Sequence, residues 1–225
     1  MRTTVNIGYE IRGKRSPGRP RSERAHQAIL SCTLKFLESK DNGFANLTIE
    51  NIAAEAGVGK ATVYRWWPTK AALVADAFAS SVTQKLHFQD TGSVRKDISL
   101  QMRQLIKILR SRRGHLVSAI LGAGQSDKTL IRAFRERFLK PRRAEAYATL
   151  RRGVARGELA ADLNPDLLLD ALYGPIYMRF LIGHSTLTPA FVDDLCDLVF
   201  AGAEARELPV PSRSLANASG AHGAD

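Results

Sequence analysis

The chain has 225 residues, of which 44% are apolar, and a formal net charge of +11. This length exceeds the roughly 100–200 residues of a typical domain, so one large or two small domains are expected. No stretch offers the about 20 consecutive apolar residues of a membrane span, and the first residues lack the apolar region of a secretory signal. Two isolated cysteines cannot form a zinc site without suitably spaced histidines. We therefore expect a cytoplasmic protein with no membrane partner, no metal and no other cofactor.

Residues 1–21 form a basic arm whose polar, Gly- and Pro-rich composition predicts disorder in the absence of DNA. Residues 1–70 carry twelve Lys and Arg and six Asp and Glu, a net charge of +6 in under a third of the chain. The segment Ser16–Arg21 resembles the Gly-Arg-Pro core of an AT-hook, whose arginines lie in a narrow minor groove. Pro17 stands where a full hook has an arginine. We predict that Arg19 and Arg21 contact DNA; the alternative is a solvated tail.

A helix-turn-helix is predicted downstream of a first helix that runs from Ser22 to about Glu38. Thr48 suits a helix N-cap, and Gly57 suits the left-handed residue that ends a helix. Small Ala53 lies where two helices would cross at a short turn. Apolar residues recur between these points at helical spacing: Ile49, Ile52, Ala53 and Ala56. This motif places its second helix in the major groove of DNA.

The second helix of the motif begins near Gly59. It is expected to bury Val63 and Trp67 and to turn its polar side outward, namely Lys60, Ala61, Thr62, Tyr64 and Arg65. Thr69 can cap a fourth helix that ends near Leu86, which gives a DNA-binding domain over residues 22–86. A helical hairpin within an enzyme is the alternative, but the basic arm and the basic chain favour DNA binding.

The remainder of the chain lacks the alternating pattern of strands. It predicts a larger helical domain over residues 93–206 and a disordered tail over residues 207–225. Helices are expected over residues 96–113, 115–122 and 127–139. The fold class is therefore all-α, with a three-helix helix-turn-helix domain followed by a larger helical domain.

Prolines mark the later helices. Pro141 either kinks a long helix or opens a new one that ends near Gly157. Asn164-Pro165-Asp166 combines a capping side chain, a first-turn proline and an acid at the positive end of the helix dipole. The helix that it opens is apolar nearly all round, which is not typical of a surface helix. Thr188-Pro189 opens the last helix, which has one broad apolar stripe.

The order of residues in the motif resembles the DNA-binding domain of the TetR family of bacterial repressors. The resemblance covers roughly residues 22–82 and rests on the pattern Thr48-Ile49, Ile52-Ala53, Ala56-Gly57-Val58, Thr62-Val63-Tyr64, Trp67-Pro68 and Lys70. It implies that Lys60, Ala61 and Thr62 face base edges. It also implies that Thr48, Tyr64, Trp66 and Lys70 contact phosphates. We add Arg65 to this set. Packing between helices is the alternative for Tyr64 and Trp66.

The same resemblance implies a homodimer that is held by the last two helices. Symmetric dimers read half-sites in successive major grooves, so double-stranded DNA with an inverted-repeat operator is the expected partner. A thicker monomeric core is the alternative. The predicted interface residues are Leu172, Ile176, Phe191, Leu195, Leu198 and Val199.

A pocket for a small-molecule inducer is implied by the family alone. Its candidates are polar or aromatic residues in apolar surroundings: Met102, His115, Gln125, Phe134, Tyr147, Tyr173, Tyr177 and Arg179. The identity of the inducer does not follow from the sequence.

Catalysis is not predicted, because the five histidines show neither metal-like spacing nor a triad framework. The expected function is a ligand-responsive repressor. Three alternatives remain: a DNA-binding module of a recombinase or architectural assembly, a helical ligand-binding protein with a vestigial DNA domain, and a constitutive regulator without an inducer.

Overall fold

The computed structural model describes residues 22–39 and 46–203, and the regular structure in these ranges is helical. The first four helices are α1 (Glu23–Glu38), α2 (Ile49–Glu55), α3 (Lys60–Trp66) and α4 (Lys70–Val82). A 3-10 turn (Thr83–Lys85) follows. The remaining six are α5 (Val94–Leu109), α6 (Arg112–Ser126), α7 (Lys128–Phe134), α8 (Lys140–Ala155), α9 (Pro165–Ile182) and α10 (Pro189–Phe200). Of the helices described, none combines the length and hydropathy needed to cross a membrane.

The predicted helix starts are confirmed by capping hydrogen bonds. The hydroxyls of Thr48, Thr69 and Thr188 each accept the backbone N–H of the third residue downstream. The Asn164 side chain accepts the backbone N–H groups of Asp166 and Leu167. Each cap satisfies donors that the first turn of a helix leaves without partners. Local sequence therefore determines where these four helices begin.

The boundary between α5 and α6 differs from the prediction. The fifth helix ends at Leu109 instead of residue 113, and the sixth spans residues 112–126 instead of 115–122. Ser111 caps α6, since its hydroxyl accepts the backbone N–H of Arg113. Gly114 permits the tight turn, because a Cβ at this position would lie 1.8 Å from the carbonyl oxygen of Leu109.

Pro141 lies in the first turn of α8, the start that one of the two alternatives predicts, and this helix ends at Ala155, near the predicted Gly157. Residues Arg135–Leu139 form a π turn that joins α7 to α8, and the N–H of Lys140 donates to the carbonyl of Arg135, five residues back. Proline lacks an N–H, and its ring collides with the carbonyl four residues back in a regular helix, here that of Arg137. The wider π turn accommodates this missing donor.

Helix α4 joins the two halves of the described structure. It packs against α1 on one side and against α7 and the π turn on the other. Its buried side chains, among them Leu73, Val74 and Phe78, belong to the same apolar core as residues of the later helices. Any rearrangement of α7 or the π turn therefore meets α4 directly.

Candidate nucleic-acid interface

The helix-turn-helix is built as the sequence predicts. Gly57 has a φ of 65°, the left-handed conformation that favours glycine. The N–H of Val58 then donates to the carbonyl of Ala53 at 2.9 Å, which closes the turn. Ala53 is buried between the helices, where its single methyl group allows the close crossing.

One face of α3 is buried and the other is open to solvent. Val63 is inaccessible, whereas Tyr64 is 50% exposed. Lys60, Ala61 and Arg65 are also exposed, and Thr62 is half-buried. The predicted base-reading and phosphate-binding residues of α3 are thus accessible on one short helix.

Lys60 is held by an acidic neighbour in the absence of DNA. Its ammonium lies 2.6 Å from a carboxylate oxygen of Glu50 on α2. The hydrogen bond between them lowers the pKa of Glu50 and raises the pKa of Lys60 from their ordinary values. Both side chains are exposed, so the pair is screened by solvent and can open when a better partner arrives. The sequence pattern gives no sign that Glu50 pairs with Lys60.

The two tryptophans at the end of α3 have different environments. Trp67 is buried, and its indole N–H donates to Oδ2 of Asp76 on α4 at 2.7 Å. Trp66 is half-buried, with its ring 4.4 Å from that of His26 on α1. His26 also stacks on Trp67 at 4.8 Å. Trp66 therefore has a packing role beside any contact with phosphate.

The remaining predicted DNA contacts lie at helix starts or outside the described residues. The hydroxyl of Thr48 caps α2 at its exposed end. Lys70 is the first residue of α4 and is half-buried. Arg19 and Arg21 lie outside the described residues.

The C-terminal part contains a cavity of about 70 Å³ that is bounded by α5, the π turn, α8 and α9. Of the eight predicted ligand residues, Tyr173 and Tyr177 line it. The hydroxyl of Tyr173 donates to Oε1 of Gln101 at 2.5 Å. Burial raises the pKa of Tyr177 to about 12, so its hydroxyl stays protonated at neutral pH. Lining residues that sequence reasoning missed include Gln101, Leu105, Arg142 and Arg143.

The other six predicted ligand residues do not line this cavity. Met102 packs in the core, with its sulfur 3.8 Å from that of Cys196. Phe134 belongs to an aromatic cluster with Phe78 and Phe138. The remaining four lie elsewhere: Tyr147 bonds to Asp166, Arg179 covers the ring of Phe191, and His115 and Gln125 are exposed.

Within residues 93–203, the large apolar side chains that are exposed lie on the last two helices. These are Leu167, Met178, Leu181, Ile182 and Leu198, the last of which is 76% exposed. Among the predicted interface residues, Leu172 and Ile176 are fully buried inside the protomer, and Leu195 is nearly so. They belong to the protomer core because that face of α9 packs on α5 and α10. Phe191 and Val199 are half-buried.

A helix-turn-helix with an exposed polar recognition face, followed by a larger helical domain, defines a DNA-binding regulator. The profile "Bacterial regulatory proteins, tetR family" matches residues 39–77, and "Tetracyclin repressor-like, C-terminal domain" matches residues 88–199. The chain belongs to the TetR family of DNA-binding transcriptional regulators, as its sequence motif predicts.

Individual relatives agree with this assignment. An uncharacterized HTH-type transcriptional regulator of Bacillus subtilis, YdeS, is 41% identical, with 84% of this chain and 94% of the relative covered. The DNA-binding transcriptional repressor TetR of Mycobacteroides abscessus is 29% identical, with 79% and 92% covered. The solved structure of the TetR-family regulator SCO0332 gives a TM-score of 0.71 at 34% identity and covers 80% of this chain and 99% of that one.

Proposed function

We propose that this protein is a homodimeric repressor that binds an inverted-repeat operator and is released by a small, largely apolar molecule. The proposal rests mainly on one observation, which is that α3 has one buried face and one accessible face. Buried Val63 and Trp67 fix its orientation, while Lys60, Ala61 and Tyr64 stay accessible on the opposite face. Lysine suits guanine acceptors and the alanine methyl suits the thymine methyl. A tyrosine hydroxyl suits a phosphate oxygen.

The exposed apolar residues of α9 and α10 support a dimer. Leu167, Met178 and Leu198 are more than half exposed, and contiguous apolar surface of this kind is typical of protein interfaces. An isologous interface would cover the same surface on both protomers and impose two-fold symmetry on the two recognition helices. The operator would then contain two half-sites about one helical turn apart.

The cavity supports a largely apolar ligand. Its lining consists mostly of leucine and aromatic side chains. Its two arginines are already paired, Arg142 with Glu145 at 2.5 Å and Arg143 with Asp170 at 2.7 Å and with Asp166. The hydroxyl of Tyr177 is a donor that forms no hydrogen bond with any residue of the described ranges, and a carbonyl or ether oxygen could accept from it.

The cavity is smaller than the molecules that it is proposed to bind. Its volume is about 70 Å³. Pockets for small molecules usually have roughly 300–1,000 Å³. A ligand of ordinary size would therefore displace residues that line the cavity. We infer that this displacement changes the position of the DNA-binding domain.

Selection of operator DNA from a random pool, followed by a ligand screen, tests the proposal. We expect an inverted-repeat consensus and at least one apolar compound that releases labelled operator. An asymmetric consensus with strong DNA bending would instead favour an architectural or recombinase module. If every compound that stabilises the protein leaves operator affinity unchanged, the protein is a constitutive regulator.

A further inference from the structure

The π turn Arg135–Leu139 takes part in two sets of contacts. Phe138 and Leu139 line the cavity. Arg137, on the same turn, donates from its guanidinium to Oδ2 of Asp76 on α4. A single five-residue segment thus joins the cavity wall to the helix that follows the DNA-binding motif.

The same carboxylate oxygen of Asp76 also holds the end of the recognition helix. It accepts the indole N–H of Trp67 at 2.7 Å. Trp67 directly follows α3, and its backbone N–H donates to the carbonyl of Val63 at 3.0 Å. Side chains of Arg137, Asp76 and Trp67 therefore form a continuous hydrogen-bonded path from the cavity wall to α3, which we call the Arg137–Asp76–Trp67 path.

An apolar contact runs beside this path. The ring of Phe138 meets the ring of Phe78 on α4 edge-on, with centroids 5.0 Å apart. Asp76 and Phe78 lie two residues apart on α4 and bind consecutive residues of the π turn. Movement of the turn would consequently change a polar and an apolar contact of α4 together.

The π turn is an irregular part of the cavity wall. The N–H of Lys140 donates to Arg135, whereas a regular helix would use the carbonyl of Glu136. Pro141 removes the next donor, so fewer hydrogen bonds hold this segment than hold a regular helix.

We propose that the Arg137–Asp76–Trp67 path transmits ligand binding to the recognition helix, with Asp76 as the residue that positions the end of α3. This inference rests on the proposed function. A ligand that displaces Phe138 and Leu139 moves Arg137 relative to Asp76. The carboxylate then loses a charge-assisted hydrogen bond, and the orientation of the Trp67 indole changes with it.

The first test examines the path without any ligand. The chain has two tryptophans, so a spectrum of the ¹⁵N-labelled indoles contains two signals. We expect Arg137→Met and Asp76→Asn to shift the Trp67 signal and Arg137→Lys to restore it towards its original position. Arg135→Met is the matched control, since Arg135 is exposed on the same turn and pairs with no acid within the described ranges. It should leave both signals unchanged.

The second test uses reciprocity between sites, because a ligand that weakens operator binding must itself be weakened by operator. Hydrogen exchange of the full chain is followed with and without saturating operator selected from random DNA. Operator should slow exchange of residues 135–140 by about fivefold or more in the original protein and the Arg135→Met variant. This slowing should be absent in Arg137→Met and present in Arg137→Lys.

Four results would overturn the inference. Full operator-induced slowing in both Arg137→Met and Asp76→Asn would place the coupling elsewhere, and so would an unchanged Trp67 signal in both variants. Absence of any slowing in the original protein, with operator firmly bound, would reject the path and leave the proposed repressor intact. If the original chain binds no selected DNA, the proposed function fails and the inference fails with it.

Discussion

Lys60 is a cation on the exposed face of α3, and Glu50 holds it at 2.6 Å in the free chain. Under the proposed function, DNA would compete with Glu50 for this ammonium group. Breaking the pair would offset part of the free energy gained from a contact between Lys60 and a base, and the Glu50 carboxylate would also repel the phosphates. We therefore expect the Glu50–Lys60 pair to lower operator affinity.

Substitutions at the two positions should have opposite effects on operator affinity. Lys60→Ala should weaken binding by about tenfold or more and relax the preference at one base position in each half-site. Glu50→Gln should strengthen binding by about two- to fivefold, because Lys60 loses its internal partner. Titration of labelled operator at fixed salt measures both. Weaker binding by Glu50→Gln would show that the carboxylate supports the recognition helix rather than competing with DNA.

At the scale of single elements, α6 illustrates how one glycine sets a helix boundary. Gly114 lies against the backbone of Leu109, whereas a methyl group added at Gly122 on the same helix would meet no atom within 4 Å. The two glycines therefore have opposite expected responses to the same substitution.

Gly114→Ala should lower the free energy of unfolding by about 1–3 kcal/mol, because the added methyl group must push backbone aside. Gly122→Ala should be neutral or raise it by up to about 1 kcal/mol, since alanine favours a helix over glycine. Urea unfolding of both variants provides the comparison. Equal stability of the two variants would contradict the close approach at Gly114.

The exposed face of α9 and α10 allows a sharper test of dimerisation than the residues predicted from sequence. Met178→Asp with Leu198→Asp places charges on surface that a dimer would bury, and unpaired buried charge is strongly disfavoured. Sedimentation velocity should show a monomer. Circular dichroism should show that its helix content is close to that of the original protein. Thr186→Asp, on the exposed loop between these helices, is the control. A double variant that remains dimeric would place the interface elsewhere.

The starts of α2, α4, α9 and α10 could be predicted because each depends on a local capping residue, as at Thr48 and Asn164. The sequence could not predict which side of α9 faces the core. Its apolar residues surround the helix, so periodicity does not distinguish buried Leu172 from exposed Leu167. The accessible face depends on α5 and α10, which approach from distant parts of the chain.

On the scale of the whole molecule, the exposed face of α3 could be predicted from the sequence and the cavity could not. Residues such as Lys60 and Tyr64 lie within one short motif whose pattern determines their orientation. The cavity instead combines Gln101 of α5, Arg142 of α8 and Tyr177 of α9 with the π turn. Sequence spacing carries no information about this convergence, because it depends on how four separate segments pack.

The cavity lies in the C-terminal part of the molecule, the recognition helix in the N-terminal part, and α4 contacts elements of both. The proposed coupling between them would act in both directions, and about 1–3 kcal/mol between ligand and operator would suffice for a switch. This is comparable to the net contribution of one hydrogen bond to a charged group, so the proposed coupling does not require many contacts to change.

The proposed function requires that two copies of this chain bind one symmetric operator. Sedimentation equilibrium of the protein on its selected operator tests this stoichiometry, with both half-sites intact or with one scrambled. We expect two chains on each intact duplex and a loss of affinity of about tenfold or more when one half-site is scrambled. One chain per duplex, with affinity unaffected by the scrambled half-site, would contradict it.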